Sequence, residues 1–358
     1  MDRIRIEEFV DLAAKYPLLD VRSPAEYGHA HMPGAYSLPL FSDEERKVVG
    51  TAYKREGRQQ AIKIGLDYFG AKMRKMVEEV EKIAQHHKSC TPGSNIVLVH
   101  CWRGGMRSAG VAWLLDLYGY KVYTLAGGYK SFRNWVLKRF EKQYKFKVVG
   151  GYTGSGKTRV LHELAAMNHT IVDLERIASH KGSAFGDLGQ EKQRTQEMFE
   201  NELALALHAI AENETIWIED ESRRIGDLNL PGALWDTMRR SPVFFLDIPF
   251  EERLNYITAE YRKFKQEELI NAVVRIRKRL GGLSTKNAVN YLLEDNCGEA
   301  FRILLGYYDK YYRHGLNARE QLKELLTTIP TARVDAMMNS KLIASTKQIT
   351  NGITNPGN

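Results

Sequence analysis

The sequence predicts an α/β protein of two parallel-sheet halves followed by a helical, basic C-terminal region. Three observations carry this. Short apolar runs alternate with amphipathic helical patterns from the N-terminus onward, as strands joined by crossover helices do. A glycine-rich phosphate-loop motif, GYTGSGKT at 151–158, stands between an apolar run and a helical pattern. From about residue 250 the strand pattern gives way to helical, basic and tyrosine-rich sequence.

In the first half, YPLLDVRS (16–23) predicts a strand ending at Asp20, and HMPGAYSLP (31–39) a turn and a short strand. Residues 42–88 are charged and read as mostly helical. NIVLVHC (95–101) predicts a buried strand, MRSAGVAWLLDLYGY (106–120) an amphipathic helix stopped by Gly119, and KVYTLAGGY (121–129) a further strand and turn. In the second half, FKVVGGYTGSGKTRVLHELA (146–165) gives strand, glycine loop and helix. HTIVDLE (169–175), ETIWIEDES (214–222) and PVFFLDIP (242–249) supply three more strands, with helical sequence such as 188–211 between them. The predicted domains are 1–140 with a helical insertion at about 42–88, then 141–250, then a helical region 251–335 completing the second half. Residues 336–358 are expected to form a flexible tail.

The 358 residues exceed one ordinary domain, and 43% hydrophobic with 27% charged content is normal for a globular protein. The net charge of +8 admits a polyanionic partner without proving one. Cys90, Cys101 and Cys297 show neither paired metal spacing nor an even count, which excludes a disulfide framework and fits a reducing compartment. The N-terminal apolar pattern is broken by Glu7, Glu8 and Asp11, unlike a signal peptide, and no stretch approaches the roughly 20 apolar residues of a membrane span. The expected location is cytoplasmic, with no membrane partner.

The stretch VHCWRGGMRS (99–108) places Cys101 at a strand end, then Trp102, Arg103, Gly104, Gly105 and Met106, then Arg107 at the start of a helix. That order points backbone N–H groups into a cradle at a helix N-terminus. The same donors stabilise a thiolate, so Cys101 is expected to have a lowered pKa and act as a nucleophile, with Arg107 facing an oxyanion. In the phosphate loop, Gly151, Thr153, Gly154, Ser155 and Gly156 supply the cradle, Lys157 a positive charge, and Thr158 a hydroxyl for Mg²⁺. Strand-end acids Glu219, Asp220 and Glu221, and Asp173, are candidates beside that cation; Asp173 and Asp220 are the expected ligands with Thr158. DLERIASHKGSAFGDLG (173–189) is a glycine-rich stretch suited to close over a phosphate ligand, and Arg223 lies just past the acidic strand end, in reach of a diphosphate. Arg275, Arg277, Lys278, Arg279 and Tyr311 belong to a basic, tyrosine-rich region suited to single-stranded RNA.

LLDVRSPAEYGHAHMPGAYSLPL, the cysteine loop and LAGGYKSF together resemble a rhodanese domain, so the expected fold is a rhodanese-like parallel-sheet domain followed by a P-loop NTPase/kinase-like α/β domain. Rhodaneses carry sulfur or selenium on the loop cysteine. The five residues between Cys101 and Arg107 make a wider ring than the usual small sulfurtransferase loop, better suited to a tetrahedral, phosphate-like anion. With His100 and Ser108 the loop also matches the pattern of cysteine-dependent phosphatases, for which Asp20 and Glu26 are the candidate acids.

The ordered set LLDVRSPAEY, CWRGGMRS, GGYTGSGKT, DLERIASHKGSAFG and IEDESRRIG resembles the bacterial tRNA 2-selenouridine synthase family over residues 1–335. That resemblance implies two steps at the wobble 2-thiouridine of tRNA: S-geranylation by geranyl diphosphate, then replacement of the geranylthio group by selenium from selenophosphate. It implies Mg²⁺ at the phosphate loop, tRNA and a selenophosphate supply system as partners, and selenium chemistry at Cys101. Two other classes are weighed against it: a P-loop kinase or ATPase fused to a sulfurtransferase, marked by nucleotide turnover without tRNA, and a non-enzymatic tRNA-binding regulator, marked by RNA binding without chemistry.

Overall fold

The computed structural model describes residues 1–87 and 95–347. Cys90, the last residue of the predicted insertion and the tail from 348 lie outside the described residues. The chain packs as two compact units: Met1–Arg139 with Thr195–Leu205, and Phe140–Arg194 with the chain from Ala206 onward.

The first unit opens with β1 (Asp2–Ile4), α1 (Ile6–Ala13), β2 (Leu18–Asp20), α2 (Pro24–His29) and β3 (Tyr36–Ser37). The charged insertion forms α3 (Asp43–Arg55), α4 (Arg58–Gly70) and α5 (Met73–His86). Then come β4 (Ile96–His100), α6 (Met106–Tyr118), β5 (Lys121–Leu125) and α7 (Gly128–Arg139). The strands lie in the order β1-β5-β4-β2-β3, every pair parallel. A central parallel strand is covered on both faces, which is why β4 reads as an unbroken apolar run. Val97 and Val99 are buried in one cluster with Val111 and Leu115 of α6 and with Val80 and Ile83 of α5. Gly119 ends α6 in the left-handed conformation, as the sequence predicts.

The second unit contains β6 (Lys145–Gly151), α8 (Lys157–Ala166), β7 (Ile171–Val172) and α9 (Leu174–Ala178). Helix α10 (Gln196–His208) begins in the first unit and ends in the second. Next are β8 (Thr215–Glu219), the hairpin strands β9 (Arg224–Ile225) and β10 (Leu228–Asn229), α11 (Gly232–Arg239), β11 (Val243–Asp247) and α12 (Phe250–Tyr261). The helices α13 (Gln266–Arg275), α14 (Arg277–Leu280), α15 (Gly282–Leu293), α16 (Cys297–Asn317) and α17 (Leu322–Leu325) precede β12 (Leu326–Pro330) and α18 (Ala336–Ser345). The sheet order is β12-β11-β6-β8-β7, all parallel, with β6 central. A ligand of such a sheet binds beyond the carboxyl ends of its strands, where β6 runs into the phosphate loop.

Two expectations are corrected here. Residues 326–330, read as part of a helical region, form the edge strand β12 along β11; only Thr327 and Ile329 alternate inward, too short a pattern to stand out beside helical sequence. Residues 336–345, read as the start of a loose tail, form α18. Asp335 caps it by accepting from the Met338 N–H, and Ile343 is fully buried against the sheet cluster of Val149, Leu161 and Phe244. Among the described residues no helix is long and apolar enough to cross a membrane.

Candidate active site: a cysteine loop and a phosphate loop

In the first unit, Cys101 follows β4 and lies below the N-terminus of α6, 3% exposed. Its Sγ is 3.2 Å from Ser108 Oγ. Burial pushes the thiol up, but the Ser108 hydroxyl and N–H, the Arg107 charge and the Gly105 N–H outweigh it, so its pKa sits below the ordinary value. The loop is tied to α7: the Tyr129 N–H donates to the Cys101 carbonyl at 2.8 Å and the Lys130 N–H to the Trp102 carbonyl at 3.0 Å. A Cβ at Gly128 would strike that Cys101 carbonyl and the Gly104 nitrogen, which accounts for the glycine of LAGGY. Trp102 is part-exposed at the loop, its ring 5.7 Å from that of Tyr129, while Arg103 and Met106 face solvent.

Arg107 donates to Glu26 at 2.7 Å. Burial raises the Glu26 carboxyl, but Arg107 together with the Ser23 N–H and Arg46 draws it down to about 2. Asp20 is fully buried and gripped by Arg22, whose Nε and Nη2 donate at 3.0 and 2.6 Å. Burial opposes its ionisation, but His100 and Arg22 leave its pKa lowered. Both acids are therefore anionic at neutral pH, and neither suits the proton donor a phosphatase requires.

Tyr129 also joins the loop to α10. Its hydroxyl donates to Glu197 at 2.7 Å and accepts from Asn201 Nδ2 at 2.9 Å, and the Arg22 guanidinium lies 3.8 Å over its ring. These residues explain why a stretch from the middle of the chain packs with the N-terminal unit.

In the second unit, the phosphate loop opens onto a cleft of about 1590 Å³. Gly154 has φ +84°, and a Cβ there would come within 2.7 Å of Ile257 on α12. Lys157 Nζ donates to the Gly151 carbonyl at 3.3 Å, and the Thr153 carbonyl accepts from Arg253 at 3.0 Å. The Thr158 hydroxyl donates to Glu175 Oε2 at 2.7 Å. Ser155 is buried, and its hydroxyl has no partner among the described residues. Gly156, Lys157, Thr158 and Arg223 line the cleft.

Glu175, which accepts from Thr158, interacts with Glu219 and Glu221. Glu219 is fully buried, and among the described residues its Oε1 has no hydrogen-bond partner. Burial and then the charges of Glu175, Asp173 and Glu221 push its carboxyl well above the usual range. Burial and Glu175 likewise push Glu221 up to about 8. Asp173 instead accepts from His162 Nε2 at 2.6 Å and caps α9. Asp220 accepts from the Tyr312 hydroxyl at 2.5 Å and pairs with Arg319. Glu219 is the last residue of β8 and Asp220 the first beyond it, and the two side chains go to different partners. The structure thus puts Glu175, absent from the sequence-based ligand set, beside Thr158 and turns Asp173 and Asp220 to other partners. Glu175 lies on α9, three residues past the end of β7 and two past Asp173. Among the described residues, no group of three or more His, Cys, Asp and Glu side chains is arranged to hold a metal ion unaided.

Arg275, Lys278, Arg279 and Tyr311 line the same cleft as the phosphate loop, while Arg277 is not among its lining. Arg275 pairs with Asp187 at 2.7 Å. The glycine-rich stretch after β7 supplies His180, Lys181 and Gly182 to the cleft wall. His180 Nδ1 accepts from the Gly182 N–H at 3.1 Å.

A cysteine loop on one parallel sheet and a phosphate loop on a second define an α/β protein of two parallel-sheet units. The comparisons with known proteins agree with both halves. Residues 6–134 match the rhodanese-like domain, and residues 144–342 match the tRNA 2-selenouridine synthase AAA domain. The tRNA 2-selenouridine synthase of Nitrosomonas europaea is 37% identical, covering 80% of this chain and 74% of that protein. Those of a Sulfurovum species and of Hydrogenovibrio crunogenus are 34% and 35% identical, covering 83% and 85% of this chain and 86% and 90% of theirs. The chain belongs to the tRNA 2-selenouridine synthase family, and so to the enzymes rather than to the non-enzymatic binders.

Proposed function

We propose that this chain is a cytoplasmic tRNA-modifying enzyme that first S-geranylates wobble 2-thiouridine with geranyl diphosphate and then exchanges the geranylthio group for selenium from selenophosphate. Family membership supports the overall activity; the chemistry of the two steps is our reading. The observation that carries it is the pairing, in one chain, of a phosphate loop edged by raised carboxylates with a cysteine loop edged by Ser108 and Arg107.

In the first step the thiocarbonyl sulfur forms a bond to C1 of geranyl diphosphate as the C1–O bond breaks, and diphosphate leaves with the electron pair. Lys157 and the backbone donors of 153–158 stabilise the charge that builds on the leaving group. Mg²⁺ fits beside them. Thr158, Glu175 and Glu219 would hold it, because a buried carboxylate oxygen without a partner among like charges is relieved by a cation. The ion would supply further charge neutralisation and would keep water and substrate phosphate in its shell, as Mg²⁺ usually does. Arg223, Arg275, Lys278 and Arg279 give the cleft the charge that phosphates of the tRNA require.

In the second step the selenium of selenophosphate bonds to C2 as the C2–S bond breaks, the geranylthio group departs as a thiolate with the electron pair, and water takes the phosphoryl group as the Se–P bond breaks, releasing phosphate and leaving selenium on C2. S-alkylation prepares this, since a thiolate leaves where the original thiocarbonyl does not. Cys101, kept toward its thiolate by Ser108 and the α6 N-terminus, activates the selenium, and Arg107 faces the phosphate part. Selenophosphate then has to come from a separate supply enzyme.

Mass spectrometry of tRNA bearing 2-thiouridine, incubated with the protein, Mg²⁺ and geranyl diphosphate, tests the reading. A mass gain of one geranyl group is expected without selenophosphate, and conversion to 2-selenouridine with it. Unchanged tRNA in both reactions would overturn it.

A further inference from the structure

On α16, residues 307/311, 308/312 and 309/313 form three neighbouring stripes, each an i, i+4 pair. Two of these stripes hold the phosphate loop. The Tyr312 hydroxyl accepts from the Gly151 N–H at 3.2 Å while donating to Asp220, and Lys157 Nζ stands 5.9 Å from the centre of its ring. Asp309 receives both terminal nitrogens of Arg253 at 2.8 and 2.7 Å, and Arg253 reaches on to the Thr153 carbonyl. Arg313 Nε donates to the Tyr152 hydroxyl at 3.3 Å. Three successive residues of the loop, 151 to 153, are thus held from one helix, directly or through Arg253.

The remaining stripe is turned to the cleft. The rings of Tyr307 and Tyr311 stack with centroids 6.4 Å apart and planes at 21°. Tyr311 is 56% exposed, and both line the cleft with Arg279. An exposed tyrosine ring stacked on a half-buried one, beside a guanidinium, is a stacking surface for unpaired bases.

We propose that α16 couples nucleic-acid docking to the phosphate loop: Tyr307 and Tyr311 take the RNA, and Tyr312 is the positioning residue that passes the shift to Gly151 and Lys157. The inference rests on the reading of the cleft as a site for tRNA and an allylic diphosphate. A base stacked on Tyr311 biases the position of a helix that cannot move without moving residues 151–153. Each ligand should therefore tighten the other by the same factor, as linkage requires. Charge alone predicts the reverse, because tRNA and diphosphate are both anions.

The test measures the affinity of the full chain for inorganic pyrophosphate with Mg²⁺, with and without tRNA bearing 2-thiouridine, and the affinity for that tRNA with and without pyrophosphate. The expected result is reciprocal tightening of about fivefold or more. Tyr312→Phe keeps the ring and removes the hydroxyl, and should bring both factors within about twofold of unity while tRNA bound alone keeps its affinity. Asp309→Asn, which weakens the Arg253 bridge, should lower the coupling in the same direction and serves if Tyr312→Phe does not fold. Equal pyrophosphate affinity with and without tRNA in the unaltered protein overturns the inference, as does full coupling in both variants. Geranyl transfer without coupling overturns this inference alone. Coupling without geranyl transfer overturns the transfer chemistry and leaves the coupling standing, whereas binding of neither ligand overturns both.

Discussion

Thr158 donates its hydroxyl to Glu175 at 2.7 Å, and Glu175 shares the phosphate-loop floor with Glu219 and Glu221. Three carboxylates in one buried group repel one another, and the group is eased either by protons or by a cation.

The first prediction concerns the metal-free protein. Glu221 is raised from 4.5 to about 8, so its folded form binds a proton more tightly than its unfolded form. The resulting stability is complete below pH 4.5 and is lost as pH rises through 8. With chelator present, the thermal midpoint of the second unit should fall across that window, and Glu221→Gln should flatten the fall. Mg²⁺ with pyrophosphate should also flatten it. An identical slope in all three conditions would contradict the shared-carboxylate account.

Glu175→Gln should weaken Mg²⁺-dependent pyrophosphate binding by at least about 10–100-fold, the loss that follows even when a residue that only orients a metal's ligands is altered. Calorimetric titration reads this directly. Binding unchanged by the substitution would remove Glu175 from the site.

Cys101 should be alkylated by iodoacetamide with an apparent pKa below that of an ordinary thiol. Ser108→Ala removes a donor to the thiolate, worth about 1.5–3 kcal/mol for a hydrogen bond to a charged group, so the apparent pKa should rise by about 1–2 units. A profile unmoved by the substitution would show that the helix terminus and Arg107 alone set the thiol.

Glu26 falls from 4.5 to about 2, so the stability it contributes is present above pH 4.5 and lost as pH drops toward 2. Glu26→Gln should cost the first unit about 2–3 kcal/mol at pH 7 and little at pH 2, measured by denaturant titration at both values. An equal cost at both pH values would mean that the Arg107 pair contributes no charge-dependent stability.

Much of this organisation is legible in the chain. β4 and the cysteine loop stand out because a strand covered on both faces must be apolar and the turn after it must carry glycine. The phosphate loop stands out because its backbone geometry admits few other residues. What the sequence conceals is the outcome of long-range pairing. Asp173, Glu175, Glu219, Asp220 and Glu221 look interchangeable in a line of acids, and only the direction each leaves its strand or helix separates them. Asp220 is claimed by Tyr312, 92 residues away, and by Arg319. The hold of Asn201 and Glu197 on Tyr129 has no local signal at all, since it joins residues about seventy positions apart.

The most direct measurement of the central claim, two centres acting in turn on one base, compares Lys157→Ala and Cys101→Ala by mass spectrometry of 2-thiouridine tRNA with both donors present. Lys157→Ala should leave the tRNA as 2-thiouridine, and Cys101→Ala should accumulate S-geranyl-2-thiouridine without selenium. Arrest of both variants at the same species would contradict the division of labour between the two loops.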